Sequence, residues 1–197
     1  MWDARYSEDG FAYGKEANDF LKDQIQHVIG AGKALCLAEG QGRNAVYLAK
    51  LGYEVTAVDL SPVGLETAQK LATDEGVSIA TEVCDLATWP LGERQWDLIV
   101  SIWAHMPSEV RSQLHARVAS ALKTEGLFVL EAYTPANLGR GTGGPPNQDM
   151  LMTLEILETE LGSLKTLFAQ ETERNIEEGR YHKGLSAVVQ FVGKKVN

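Results

Sequence analysis

Five short apolar runs alternate with segments of helical periodicity through the first two thirds of the chain. That alternation restricts the fold more than any other feature. The runs are "KALCLA", "YEVTAVDL", "VSIATEVC", "WDLIVSIW" and "EGLFVLEAY", rich in the branched and aromatic residues that suit a pleated surface. Between them, Ser61 and Pro62 make an N-cap followed by proline at the first helical position, and Leu65, Ala68, Leu71 and Ala72 then share one face. A second such face carries Val110, Leu114, Val118, Ala121 and Leu122 and is expected to end near Gly126. Nearly continuous apolar strands joined by helices imply a doubly wound, mostly parallel sheet covered on both faces. Ligands of such sheets bind beyond the carboxyl ends of the strands.

The last third breaks the pattern. "ANLGRGTGGPPNQD" is irregular by composition and reads as a linker or as a mobile substrate loop over residues 134–150, the second reading being favoured within a compact domain. The fifty or so residues beyond it, 151–197, are too few for a comfortable second domain. They read as a helix, "MTLEILETELG", and an antiparallel hairpin, "SLKTLFAQETERNIE" and "GLSAVVQFVG", around the turn "EGRYHKG". With the hairpin the sheet has seven strands. The whole chain, 197 residues, is expected to be one domain: a lid and helix over 1–30, a cofactor core over 33–133, the loop, and the closing hairpin.

Several function classes fall away on charge and composition. A net charge of -9 opposes binding to nucleic-acid phosphates or anionic lipid. No apolar run approaches the roughly 20 residues of a membrane span, and "MWDARYSEDG" has no basic region followed by an apolar one. Two cysteines without a CxxC pair point to neither a disulfide framework nor a zinc site. A soluble cytoplasmic protein, monomer or homodimer, with a small-molecule partner is the expectation. Neither HExxH nor GxSxG occurs, which disfavours metal-assisted and serine hydrolysis.

The turn after the first strand, "CLAEGQGRNAVYLA", decides between ligands. Gly40, Gly42 and Ala45 fit GxGxxA, and Asp59 ends the next strand where a ribose-binding acid belongs, so a dinucleotide is allowed. Glu39 opposes it, because a carboxylate beside the turn would face a negative pyrophosphate. S-adenosylmethionine (SAM) brings a cationic sulfonium and ammonium instead, and these favour an acid there.

On these residues the chain resembles the class I SAM-dependent methyltransferases, whose first motif commonly reads LDLGCGxGRNAxxLA. "GxGRNAVYLA" carries the specific part of the match. "RNA" together with "WDARYS" is similar to the small tellurite-resistance and thiopurine methyltransferase branch. The resemblance implies that Asp59 holds the ribose hydroxyls and Asp85 lies near the adenine amino group. It implies a cofactor site completed by Glu39, Gly40, Gly42, Asn44, Leu60, Leu86 and Ile102. Two positions depart from it: Cys36 stands where an acid is usual, and Ala38 replaces the first glycine. Cys36 reads as packing, and Glu39 can supply the missing charge.

On the acceptor side, His105 after the fourth strand, Arg140 in the glycine-rich loop, and Tyr181 with His182 in the hairpin turn are the groups available to orient an acceptor or take its proton. Each also reads as an ordinary loop, capping or turn residue. Trp2, Tyr6, Phe11 and Tyr13 read as a lid over the cofactor or as a small core. The implied activity is methyl transfer to a small molecule, with a thiol or a selenium or tellurium species as the candidate acceptor. A nicotinamide-dependent oxidoreductase and a non-catalytic SAM-binding module remain open.

Overall fold

A computed structural model describes residues 2–25 and 32–196. Residue 1 and residues 26–30 of the expected lid and helix lie outside the described residues. The elements in chain order are α1 (Trp2–Tyr6), α2 (Asp19–Ile25), β1 (Lys33–Leu37), α3 (Arg43–Lys50), β2 (Glu54–Asp59), α4 (Pro62–Asp74), β3 (Ala80–Val83), β4 (Trp96–Ile102), α5 (Ser108–Ala121), β5 (Leu122–Tyr133), α6 (Leu154–Glu160), β6 (Lys165–Glu178) and β7 (His182–Lys194). Among the described residues no helix is long and apolar enough to cross a membrane.

One sheet contains all seven strands in the order β3-β2-β1-β4-β5-β7-β6. The first five are parallel, while β7 runs antiparallel to both β5 and β6. Strand order therefore reverses between β1 and β4, which opens a crevice at their carboxyl ends. Alternation along β1 serves two cores. Ala34 and Cys36 pack with Leu48, Leu65, Ala68 and Leu71 of α3 and α4, and Leu35 and Leu37 pack with Leu114 and Val118 of α5, Leu157 of α6 and Leu161 just after it. The N-cap after β2 forms as the sequence implies: Ser61 Oγ accepts from Gly64 N at 3.1 Å, with Pro62 in the first turn.

Two boundaries differ from expectation. α5 stops at Ala121, and Leu122 begins β5 by pairing with Trp96. The register then shifts so that Leu98 pairs with Leu127, and Glu125 takes φ 69° within the slack. Helical periodicity continued through Leu122 because that side chain is buried in either conformation. β3 is a four-residue edge strand rather than the full run 77–84, with Val83 exposed.

The hairpin is longer than the parallel strands it closes. Tyr133, the last residue of β5, pairs with Val188, whereas the hairpin continues to the pair Glu178 and His182. Six further residues at about 3.3 Å each place the tip roughly 20 Å beyond the end of β5, above the crevice. Phe128, fully buried at the centre of β5, tests the core. Phe128→Ala is expected to lower unfolding stability by about 3–5 kcal/mol, read as a shift of the urea midpoint at unchanged slope.

Candidate active site

The turn between β1 and α3 is built around two glycines whose neighbours admit no side chain. Gly40 has φ 63°, and a Cβ there would lie 2.5 Å from Tyr6 Oη. Gly42, with φ 90°, would place a Cβ 2.6 Å from that of Ala68 on α4. Ala38 also adopts a left-handed φ of 50°, so the alanine carries strain at the position where the resembled motif has glycine. Glu39 curls back, and its Oε1 accepts from Ala45 N at 2.8 Å. The carboxylate thus occupies the N-terminus of α3, the place where a dinucleotide fold seats its pyrophosphate. Burial pushes Glu39 up to about 7, against the hydrogen bonds from Ala45 and Asn44 that favour its charge. Burial, with Glu39 beside it, raises the Cys36 thiol well above its usual range, consistent with a packing role.

Glu39, Asp59 and Asp85 line one cavity of about 770 Å³, together with Asn44, Leu60, Leu86 and Ile102. Asp59 is 6% exposed, and its carboxylate accepts from Gly40 N and Ser61 N, both at 2.8 Å. It therefore ties the β1 turn to the start of α4 while facing the cavity. Asp85 is exposed and accepts from Ala87 N at 2.9 Å. Leu60, 57% exposed, forms an apolar lip. Asn44 Oδ1 accepts from Asn18 N at 3.0 Å. Gly40 and Gly42 shape the turn without lining the cavity themselves.

The N-terminal segment lies over this cavity. Trp2, Tyr6 and Tyr13 line it, whereas Phe11 packs against the α3/α4 core. Gln41, the residue between the glycines, anchors the segment: its Oε1 accepts from Ala12 N at 2.7 Å, and its Nε2 donates to Gly10 O at 3.3 Å. Ser61 Oγ is bonded to Asp3. From the other side the hairpin tip holds it, with Tyr181 Oη donating to Glu8 at 2.7 Å and Arg180 Nη1 donating to Asp9 O at 2.9 Å. Arg5 Nη1 donates to Tyr13 Oη at 2.8 Å, and its guanidinium lies 4.5 Å from the centre of the Tyr181 ring.

The acceptor-side residues do not converge as a set. His182 lines the cavity, 6% exposed, with Tyr13 at 4.5 Å, Trp103 at 5.1 Å and Tyr133 at 5.3 Å between ring centres. His105 also lines it, but both its nitrogens are engaged: Nε2 accepts from Tyr133 N at 3.0 Å, and Nδ1 lies 3.1 Å from Trp103 O, to which it donates. Burial, then the neighbouring His182, pushes His105 down to about 3, so the ring is neutral. Arg140 does not line the cavity. Its guanidinium donates to Glu173 Oε1 at 2.5 Å and to Ala136 O at 2.9 Å. The glycine-rich loop is held by Asn137, whose Nδ2 donates to Gly143 O at 3.0 Å, and by Lys183 N donating to Thr142 O at 2.9 Å.

Sequence reasoning did not find the buried polar cluster beneath the hairpin. Glu131, fully buried, accepts from Arg174 Nε at 2.8 Å, Gln190 Nε2 at 2.7 Å and Asn18 Nδ2 at 2.6 Å. Glu178 accepts from Arg43 Nη2 at 2.5 Å, Trp103 Nε1 at 2.6 Å and Asn18 Nδ2 at 2.9 Å. "RNA" in the glycine turn thereby acquires a structural meaning: Arg43 reaches the hairpin tip and Asn44 reaches the start of α2. Trp103, held by Glu178, takes φ 58°, a conformation rare for an aromatic residue and located at the cavity wall. A buried acid followed by a buried base four residues on, Glu178 and His182, was the one local signal available.

Residues 34–126 match the family described as a methyltransferase domain. The chain is 31% identical over 90 residues to YodH, an uncharacterized methyltransferase of Bacillus subtilis (strain 168); this stretch is 46% of the chain and 38% of that relative. TehB from Haemophilus influenzae superposes with a TM-score of 0.74 at 19% identity, over 91% of this chain and 62% of that one. A SAM-dependent methyltransferase from Methanosarcina mazei superposes at 0.71 with 14% identity, over 92% and 99%. At such identities the two structures share the fold.

Two substitutions check the site's construction without any ligand. Asp59→Ala orphans the N–H groups of Gly40 and Ser61 and is expected to cost about 2 kcal/mol of stability in urea unfolding, whereas Asp85→Ala costs less than about 1. Glu131→Gln leaves Arg174 without its closest compensating charge. A loss of about 3 kcal/mol is expected by the same measurement.

Proposed function

With a methyltransferase domain over residues 34–126 as the premise, we propose that this protein transfers the methyl group of SAM to a small, soft acceptor, a thiol or a selenium or tellurium species. The observation that carries the reading is the seat of Glu39. Its carboxylate already satisfies the N-terminus of α3, so a phosphate brought there meets negative charge and an occupied donor, whereas a cation is drawn to it. That arrangement supports SAM over a nicotinamide dinucleotide.

The residues present suit such a cofactor. Asp59 and Asp85 are the acids for the ribose and adenine ends. Leu60, Leu86 and Ile102 supply apolar surface for a base, and Glu39 faces the cationic end. When bound, SAM would supply a methyl carbon on positive sulfur, open to in-line attack with the neutral thioether as leaving group. The chain's contribution is placement and exclusion of water. Trp2, Tyr6 and Tyr13 cover the cavity, and Gln41 and the hairpin tip fix that cover in position. Among the acceptor-side residues His182 is retained as the group meeting the acceptor. His105 fixes the backbone at the end of β5, and Arg140 acts through its pairing with Glu173 in holding the loop. The cavity's capacity for an acceptor favours catalysis over a purely SAM-binding role.

Calorimetry tests the reading directly. SAM and its demethylated product are expected to bind, and NAD and NADP to give no measurable heat. Because Glu39 titrates at about 7 in the free protein and a cation stabilises its charged form, binding should release a proton. SAM affinity should then rise as pH climbs through 7 and level off above it, by about tenfold for each unit by which the cation lowers the Glu39 pKa. In Glu39→Gln this pH dependence should vanish. Comparable affinity for NAD, or wild-type pH dependence in the variant, refutes the assignment.

A further inference from the structure

Taking methyl transfer as the reaction of this cavity, we infer that Glu178 and His182 form a dyad in which Glu178 orients the imidazole and His182 Nε2 removes the proton of an uncharged acceptor, a thiol or a phenol. The two residues are a cross-strand pair flanking the turn at the hairpin tip. His182 Nδ1 stands 3.9 Å from Glu178 Oε2, is fully buried, and has no hydrogen-bond partner. With the proton on Nδ1, on the side of that carboxylate, the lone pair belongs to Nε2. The Nε2 side of the ring faces the loop: a Cβ on Gly143 would lie 2.7 Å from His182 Cδ2 and 2.4 Å from Tyr133 Oη. Among the described residues, Tyr133 Oη is the other buried side-chain polar atom without a partner. The Cδ2 edge of His182 and the hydroxyl of Tyr133 thus meet at one glycine of a loop that lines the cavity.

Every charged group around the imidazole has a defined part. Burial and the cations Arg43 of α3 and Arg5 of α1 disfavour its protonation, and Glu178 of β6 favours it; the balance lowers its pKa, leaving a neutral ring at neutral pH. Burial opposes ionisation of Glu178 as well. His182, Arg43 and Trp103 facing it outweigh that and keep its carboxyl well below the usual range. His105 next to it is neutral and already bonded, and Tyr133, raised by burial and by Glu178, keeps its proton. The walls around His182 are the rings of Tyr13, Trp103 and Tyr133, which suits an uncharged acceptor that must lose its proton on site. In the step, the acceptor X–H gives its proton to Nε2 while its lone pair forms the X–CH3 bond. The carbon–sulfur bond breaks with its electron pair remaining on sulfur, and the imidazolium, stabilised by Glu178, returns the proton to water.

The test uses ring-substituted thiophenols and phenols spanning acidities on both sides of the assay pH, in single turnover with SAM. The loss caused by His182→Ala is expected to be greater for un-ionised phenols than for p-nitrothiophenol, which is already ionised, by on the order of 10²-fold. An equal loss across the series would mean that His182 only shapes the cavity, and would overturn the dyad. A second readout needs no turnover: the His182 ring is titrated by NMR in the free protein, with His182→Gln assigning its signal. Glu178→Gln removes the charge that favours the imidazolium, so the His182 pKa should fall and the rising limb of the kcat/KM–pH profile should move to lower pH by the same amount. An unchanged titration counts against the dyad. If Glu178→Gln does not fold, the wild-type NMR pKa must match the kinetic limb, and a mismatch overturns the proposal. Transfer to no member of the series, or no SAM binding, would instead refute the methyltransferase reading itself.

Discussion

Two carboxylates and two guanidiniums are withdrawn from water together under the hairpin. Glu131 on β5, Arg174 and Glu178 on β6, and Arg43 on α3 are each costly to bury alone. Glu131 is fully buried and Glu178 is 7% exposed, yet each accepts at least three hydrogen bonds. The set is neutral in sum, and its geometry leaves little choice of partner. Asn18 bridges the two acids through one amide nitrogen while its Oδ1 caps α2 by accepting from Leu21 N at 2.9 Å. The cluster therefore fastens β5, β6, the glycine-turn helix and the start of α2 at one point. The register of a long hairpin, otherwise free to slip by two residues on an apolar strand, is specified by it.

That fastening organises the cavity. Arg43 and Trp103 meet on the same oxygen of Glu178, so the glycine turn and the cavity wall after β4 share one anchor. Carboxylates at the ends of β1, β2 and β3 line the same space as Arg5, Arg43, His182 and the aromatic rings. The left-handed backbone at Ala38 and Trp103, both in that lining, shows local preference yielding to the shape of the cavity wall.

Much of this was legible in the chain because it is written in short-range terms. A parallel sheet follows from apolar runs of strand length between helical periods. The β1 turn follows from glycines that must adopt positive φ, and the acids lining the cavity follow from Glu39 and the carboxylates at strand ends. Each depends on residues within one turn or one strand of each other, where propensity and sterics act directly.

The polar groups under the hairpin were placed only in three dimensions. Arg43 and Glu178 are 135 residues apart, and Asn18 and Glu131 are 113 apart, so no periodicity connects them. His105 sits beside the cavity as its position after β4 implied, but the N–H of Tyr133 and the carbonyl of Trp103 consume its nitrogens. Arg140 was placed in the correct loop, and Glu173 on the folded-back hairpin then turned it aside. His182 reaches the cavity because β6 and β7 outrun β5, a length set by pairing energy along the whole hairpin rather than by the turn residues. Sequence alone thus determined the fold class and the backbone of the β1 turn, where local sterics decide. Which polar side chains are left unpaired at the cavity was decided by tertiary structure, since a hydrogen-bonding group is available only after every nearer partner has been satisfied.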